Sequence, residues 1–190
     1  MKAIGGYFEL ELPYKEEYHN NALRLNTGRN AFEYILRSKK YKKVYLPYYT
    51  CDVMLEPIQK LGLNFEFYKI NDQFFPIFDF NKIDNDEVFV YNNYFGICDV
   101  QVKIITERCK RLIIDNSQAF YSKPFNDVNT FYSPRKFFGV TDGAYLFIEK
   151  KMKKDLDYDV SYRKCDHLLG RIDIGAEDLY KSFIENDKSL

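Results

Sequence analysis

The stretch Arg111-Leu-Ile-Ile-Asp-Asn-Ser-Gln-Ala119 decides the fold. Its apolar residues 112–114 predict a buried strand, and Asp115 closes that strand. Open α/β sheets bind their ligands at the carboxyl ends of the strands, so we expect Asp115 at a ligand-binding edge. Gln118 follows three residues later and can face the same crevice. A turn or helix cap is the alternative role for Asp115, since aspartate is common after strands.

Apolar runs alternate with helical patterns along the rest of the chain. Strands are predicted at 44–46, 65–70, 87–91, 112–115 and 143–148, and helices after Gly28, after Thr50, after Asp99 as N-cap, and over 176–190. Interleaved strands and helices predict an α/β domain with a largely parallel sheet and helices on both faces.

Composition excludes several classes of function. Lys+Arg and Asp+Glu both number 28, and this balance argues against a nucleic-acid-binding protein. No run reaches the roughly 20 apolar residues of a membrane helix, and residues 1–6 lack a secretory apolar core. We therefore expect a cytoplasmic protein. The four cysteines form no CxxC pair, so no metal site is predicted.

A helix start precedes the predicted core. The run Asn26-Thr-Gly-Arg-Asn30 opens a helix with Phe32, Ile35 and Leu36 on one face. Free N–H groups at a helix start bind phosphate, and a glycine lets an oxygen approach closely. An ordinary N-cap at Thr27 is the alternative.

Lys136 lies in the loop Ser133-Pro-Arg-Lys136, 21 residues after Asp115. A lysine can hold pyridoxal phosphate as a Schiff base, and an aspartate can keep the pyridine nitrogen of that cofactor protonated. Arg135 and the aromatic residues around the loop are expected to favour a neutral Lys136 by charge and desolvation. One more surface lysine is the alternative reading of this residue.

Two further strand ends carry aromatic side chains. Residues 47–51 (PYYTC) and 92–96 (NNYFG) each follow a predicted strand. Either segment could present a ring that stacks on a cofactor, and either could be ordinary core packing.

Taken in order, these segments resemble the pyridoxal-phosphate-dependent nucleotide-sugar aminotransferases of the DegT/DnrJ type, over about residues 5 to 190. Thr27-Gly-Arg-Asn-Ala31 is similar to the family's phosphate cup. Asp115-Asn-Ser-Gln118 matches its Asp-x-x-Gln/His motif, and Lys136 matches its cofactor lysine. The stacking position falls on Cys51, so the resemblance implies a neighbouring tyrosine, Tyr49 or Tyr48, in that role.

The resemblance implies a site and a reaction. Lys136 and Asp115 are the implied catalytic residues; the implied cofactor-binding residues are Thr27, Gly28, Arg29, Asn30, Tyr49, Gln118 and Ser133. The implied fold is a three-layer α/β/α sandwich, the large domain of the aspartate-aminotransferase type, with a mixed, mostly parallel sheet and an antiparallel strand near 143–148. The implied activity is amino transfer to a keto-sugar that is carried on a nucleotide, with glutamate as donor and a homodimer as the assembly.

The family's chains are about twice as long as these 190 residues. We therefore expect a cofactor-binding large domain over 1–165, and a helical segment over 166–190 that would lead to a small C-terminal domain absent here. Two alternatives stay open. One is a non-catalytic module with this fold, and the other is a plain phosphate- or nucleotide-binding α/β domain.

Overall fold

The computed structural model describes residues 10–125, 127–153 and 156–190. Residues 1–6, on which the expectation about a secretory leader rests, lie outside these ranges. In the described part of the chain, no helix is both long and apolar enough to cross a membrane.

The described residues form one mixed sheet of eight strands. The strands are β1 (Leu23–Leu25), β2 (Lys43–Pro47), β3 (Asn64–Ile70), β4 (Pro76–Ile77), β5 (Glu87–Asn92), β6 (Leu112–Asp115), β7 (Asn129–Tyr132) and β8 (Ala144–Phe147). Their order across the sheet is β1-β8-β7-β6-β5-β2-β3-β4. The five strands from β7 to β3 pair in parallel, whereas β8 runs antiparallel to both of its neighbours and β4 runs antiparallel to β3.

Helices cover both faces of this sheet. They are α1 (Gly28–Lys39), α2 (Leu55–Lys60), α3 (Asp99–Arg108), α4 (Asp166–Gly170) and α5 (Ala176–Lys188). On one face, α1 and α2 pack against those side chains of the central strands that point toward them, such as Val44, Val90 and Ile113. On the other face, α3 packs against Phe89 and Ile114. The predicted three-layer α/β/α sandwich is therefore confirmed.

The side-chain alternation of the strands explains why both faces are apolar. In β5, Val88 and Val90 point to one layer of helices while Phe89 and Tyr91 point to the other, and all four are fully buried. A strand buried on both faces has no polar side, so it appears in the sequence as a continuous apolar run.

Local differences from the sequence prediction have simple physical causes. Asp99 is the first residue of α3 rather than its N-cap, which is Cys98. The Asp99 carboxylate instead accepts hydrogen bonds from Asn93 and Ser122. Strands β1, β4 and β7 were not predicted. Strands β1 and β4 have three and two residues, and β7 begins with Asn129 and Thr130, so none of them is a continuous apolar run.

His19 fastens the segment before β1 to the sheet. Its Nε2–H donates to the carbonyl oxygen of Phe120 across 2.7 Å, and its ring lies 4.1 Å from the ring of Tyr132. The imidazole is buried, and this burial lowers its pKa below the ordinary value of 6.5. The neutral form is therefore the one that the fold stabilises.

Acidification is expected to destabilise the fold through His19. Because the folded state holds this imidazole with a lowered pKa, the unfolded chain takes up the proton first as the pH falls below about 6.5. Stability present above that pH is lost as the pH falls toward the folded-state pKa. Melting curves between about pH 7.5 and about pH 5.5 should show a larger loss for wild type than for His19→Gln. Equal losses would show that His19 does not contribute.

Candidate functional site

The carboxyl ends of three parallel strands meet at one cavity. The register pairs Asn92 with Asp115, and Asp115 with Phe131, so β5, β6 and β7 end side by side. The cavity has a volume of about 850 Å³ and is lined by both Asp115 and Lys136. The strand-ending acid and the loop lysine therefore face the same space.

Most of the predicted cofactor-binding residues line this cavity as well. Eight of the nine predicted site residues do so: Thr27, Gly28, Arg29, Tyr49, Asp115, Gln118, Ser133 and Lys136. Asn30 is placed differently, because its side-chain amide donates to the Asn26 side chain and to the Leu190 carbonyl oxygen. Its backbone N–H donates to Thr27 Oγ1, so Asn30 serves the start of the helix rather than the cavity.

The start of α1 forms one wall of the cavity. Thr27 is an extended N-cap whose hydroxyl oxygen accepts from the Asn30 N–H across 3.1 Å. The N–H groups of Gly28 and Arg29 have no carbonyl partner within the helix, since they belong to its first turn. The Arg29 guanidinium is held by Glu56 at 2.7 Å. The first-turn N–H groups therefore remain available to an anion.

Gly28 also brings this helix start against the loop after β6. A Cβ built on Gly28 would lie 3.5 Å from Ser117 Oγ and 3.7 Å from the Phe131 ring. These are ordinary contact distances, so the gap between the start of α1 and the loop after β6 is about the width of one methyl group. The N–H groups that can bind an anion and the Asp115 carboxylate therefore lie on one surface.

Burial and local contacts set the charge state of Asp115. Burial raises the pKa of its carboxyl group, while the Ser117 N–H and the positive charge of Lys136 oppose that rise. The N–H of Ser117 donates to Asp115 Oδ1 across 2.8 Å. A carboxylate held this way is strongly stabilised by a cation brought into the cavity.

Lys136 ends a short helical turn, 134–136, that follows β7. Its N–H donates to the Ser133 carbonyl oxygen across 3.3 Å. The expected desolvation by neighbouring rings is not found, because Lys136 is exposed and Phe137 and Phe138 are each about 40% exposed. The Arg135 guanidinium instead forms an ion pair with Asp187 of α5 at 2.6 Å. Lys136 is therefore an accessible amine.

Tyr49 is the outer end of a stack of aromatic rings. The buried ring of Tyr94 stacks on the rings of both Phe74 and Tyr49. The ring centroids of Tyr94 and Phe74 are 5.1 Å apart; those of Tyr94 and Tyr49 are 5.6 Å apart, with an interplanar angle of 10°. The Tyr94 hydroxyl donates to the Tyr49 carbonyl oxygen. One face of Tyr49 is thus supported, while its side chain lines the cavity and is 58% exposed. A planar ligand ring could extend the stack.

Several lining residues were missed by the sequence analysis. Asn92 ends β5 beside Asp115, and the rule that strand ends meet at one edge could have found it. Phe95 was noted only as a member of an aromatic segment. Residues of α4 and α5, including His167 and Asp187, also line the cavity. These last residues are distant in sequence, and no local pattern indicates them.

Comparison with known proteins supports the fold and adds no close relative. No protein-family model matches this sequence, and no curated protein matches it. Many solved structures match, with 364 chains found. One is the sugar aminotransferase CalS13 from Micromonospora echinospora, with 14% identity, a TM-score of 0.54, and coverage of 87% of this chain and 44% of that chain.

Two further structures have the same fold. A DegT DnrJ EryC1 StrS aminotransferase from Brucella abortus matches with 15% identity and a TM-score of 0.53, covering 73% of this chain and 47% of that chain. GDP-4-keto-6-deoxy-D-mannose-3-dehydratase from E. coli, whose structure contains bound hydrated PLP, matches with 16% identity and a TM-score of 0.51, covering 68% and 39%. The fold implied by the sequence resemblance is therefore confirmed, and this chain spans about half the length of the structures that it matches or less.

The hydroxyl of Thr27 should support the wall at the start of α1. Replacing Thr27 with Ala removes the acceptor for the Asn30 N–H, so we expect a loss of about 1 kcal/mol in the free energy of unfolding, as for other N-caps. Thr27→Ser keeps the oxygen and should lose much less. Urea unfolding curves measure both values. Equal losses for the two variants would show that the cap bond does not contribute.

Proposed function

We propose that this chain binds pyridoxal phosphate and forms the cofactor-binding part of an enzyme that transfers an amino group to a keto sugar, with the sugar carried on a nucleotide. The observation that carries the proposal is the shared cavity. The amine of Lys136, the carboxylate of Asp115 and the start of α1 all line it. These are three chemically different groups, and this cofactor has a counterpart for each of them.

Two groups of pyridoxal phosphate, its phosphate and its ring nitrogen, would have binding partners in the cavity. The N–H groups of Gly28 and Arg29 would bind the phosphate at the positive end of α1. Asp115 would accept a hydrogen bond from the protonated ring nitrogen. The partly buried carboxylate, whose pKa is raised by burial, would gain the cation that favours its ionised form. When bound, pyridoxal phosphate supplies an electron-accepting ring that stabilises negative charge at the substrate carbon.

Two side chains would act beside the ring. Gln118 Oε1 accepts from the Phe95 N–H across 3.4 Å, which leaves its amide N–H₂ free to donate to an oxygen such as the cofactor's phenolic oxygen. Lys136 is the accessible amine that would hold the cofactor. Once an amino donor has displaced it, the free amine of Lys136 would be placed to take the proton from the donor's α-carbon and to deliver it to the cofactor's C4′ carbon.

The assembly belongs to the same proposal. We take glutamate as the amino donor, a homodimer as the working unit and the cytoplasm as its location. Phe138 and Val140 line the cavity, Phe137 precedes them, and the three side chains are each 41–42% exposed. Contiguous exposed apolar residues of this kind support a surface that a second copy covers. Sedimentation equilibrium of the purified chain measures the mass that tests the dimer.

Covalent labelling tests the role of Lys136. Incubation with pyridoxal phosphate, reduction with borohydride and peptide mapping should place the label on Lys136, because its amine is both accessible and within the cavity. Lys136→Ala should lose the label. Lys181→Ala is the matched control: Lys181 lies on α5, its side chain is 88% exposed and it does not line the cavity. Labelling that persists unchanged in Lys136→Ala would contradict the assignment. The absence of a reducible adduct at Lys136 in the wild type would favour a phosphate- or nucleotide-binding domain without this chemistry.

A second candidate is a module that binds the cofactor without catalysis. It needs only the cofactor-binding residues that line the cavity, and this chain spans 39–47% of the length of the three structures compared. The two candidates differ in one measurement, the 2-oxoglutarate formed from glutamate by the loaded protein. Formation of one equivalent per bound cofactor supports amino transfer. Labelling of Lys136 without 2-oxoglutarate supports the non-catalytic module.

A further inference from the structure

Phe95 has a backbone conformation that bulky residues rarely adopt. Its φ is 56°, and Gly96 follows with a φ of 72°. A left-handed conformation is unfavourable for an ordinary residue, because its Cβ then lies too close to the following carbonyl oxygen. The turn also needs a glycine at 96, because a Cβ there would lie 3.3 Å from the Gln118 carbonyl oxygen. The turn is therefore pressed closely against the loop that follows Asp115.

A second phenylalanine shares this strain and touches the first. Among the described residues, the non-glycine residues with positive φ are Lys40, Phe74, Phe95 and Asp127. Phe74 has a φ of 61°, and its ring lies 6.0 Å from that of Phe95 at 79°. The Tyr91 hydroxyl donates a hydrogen bond to the Phe74 carbonyl oxygen across 2.8 Å. Such strain persists only where the surroundings enforce it, and it is concentrated at ligand-binding sites.

The strained turn places an aromatic ring in the cavity. Phe95 is 52% exposed and lines the cavity, and its ring lies 6.4 Å from the ring of Tyr49 at an angle of 58°. Its N–H is held by Gln118 Oε1. We call Tyr49 and Phe95 the aromatic corner. Neither the core nor the sheet needs an exposed phenylalanine at this position.

We propose that Phe95 contacts the cofactor ring, with Tyr49 supplying the face of the aromatic corner and Phe95 meeting the edge of the bound ring. This inference rests on the proposed function, since the ring is that of pyridoxal phosphate. Aromatic rings prefer stacked and edge-to-face arrangements, and the tilted pair offers both. The bond from the Phe95 N–H also fixes Gln118, so the ring and the amide are positioned together.

Phe95→Gly separates a role in binding from a role in folding. Glycine adopts positive φ without strain, and this relief opposes the loss of the ring contacts and the greater freedom of the unfolded chain, so the variant should remain folded in melting curves without ligand. Loss of the ring should weaken pyridoxal phosphate binding about tenfold. Absorbance titration measures the dissociation constant. Phe95→Tyr keeps the ring and should bind as wild type does, while Phe95→Leu fills similar space without a ring and should bind as weakly as Phe95→Gly.

Phe65→Ala is the matched control. Phe65 is 40% exposed, its ring lies 5.4 Å from that of Phe67 and it lies outside the cavity lining, so its loss should leave the dissociation constant unchanged. Wild-type affinity in Phe95→Gly, or equal weakening in Phe65→Ala, would overturn the inference while labelling of Lys136 leaves the proposed function intact. A wild-type protein that binds no pyridoxal phosphate would overturn both.

Discussion

The parallel pairing of β6 between β5 and β7 is the constraint on which the site depends. The hydrogen-bond ladder continues past the strand ends, from the Asn93 N–H to the Asp115 carbonyl oxygen at 2.9 Å and from the Asn116 N–H to the Phe131 carbonyl oxygen at 2.8 Å. The segments that follow β5, β6 and β7 therefore begin at the same edge of the sheet. A shift of one residue in register would turn Asp115 away from the cavity, because side chains alternate along a strand. Apolar packing on both faces of β5 and β6 holds that register.

The charges around the cavity complement a ligand that is anionic at one end and cationic at the other. The start of α1 offers backbone N–H groups and a positive dipole end. Asp115, at the end of β6, offers a carboxylate whose pKa is raised by burial. The Gly28–Ser117 contact keeps these two opposite centres close together. The protein thus positions both partners before any ligand arrives, which lowers the entropic cost of binding.

Sequence reasoning located the parts of the site that follow local rules. Asp115 follows an apolar run, Thr27 is a favoured N-cap residue and Lys136 lies in a loop directed by a proline, so each could be assigned from nearby residues. The position of Asn30 could not be predicted, because its side chain is satisfied by Leu190, 160 residues away in sequence. The exposure of Lys136 was also not predicted, since the neighbouring rings pack against Phe120 and Tyr121 instead. Phe95 is detected only through its backbone angle, which no composition or periodicity records.

The central claim is that Lys136 and Asp115 hold opposite ends of one cofactor ring. A crystal structure of the protein with pyridoxal phosphate tests it directly. The account predicts continuous electron density from Lys136 Nζ to the carbonyl carbon of the cofactor, with an Asp115 carboxylate oxygen within hydrogen-bonding distance of the ring nitrogen and the phosphate at the start of α1. Cofactor density at a different lysine, or a ring nitrogen that faces away from Asp115, would contradict the account.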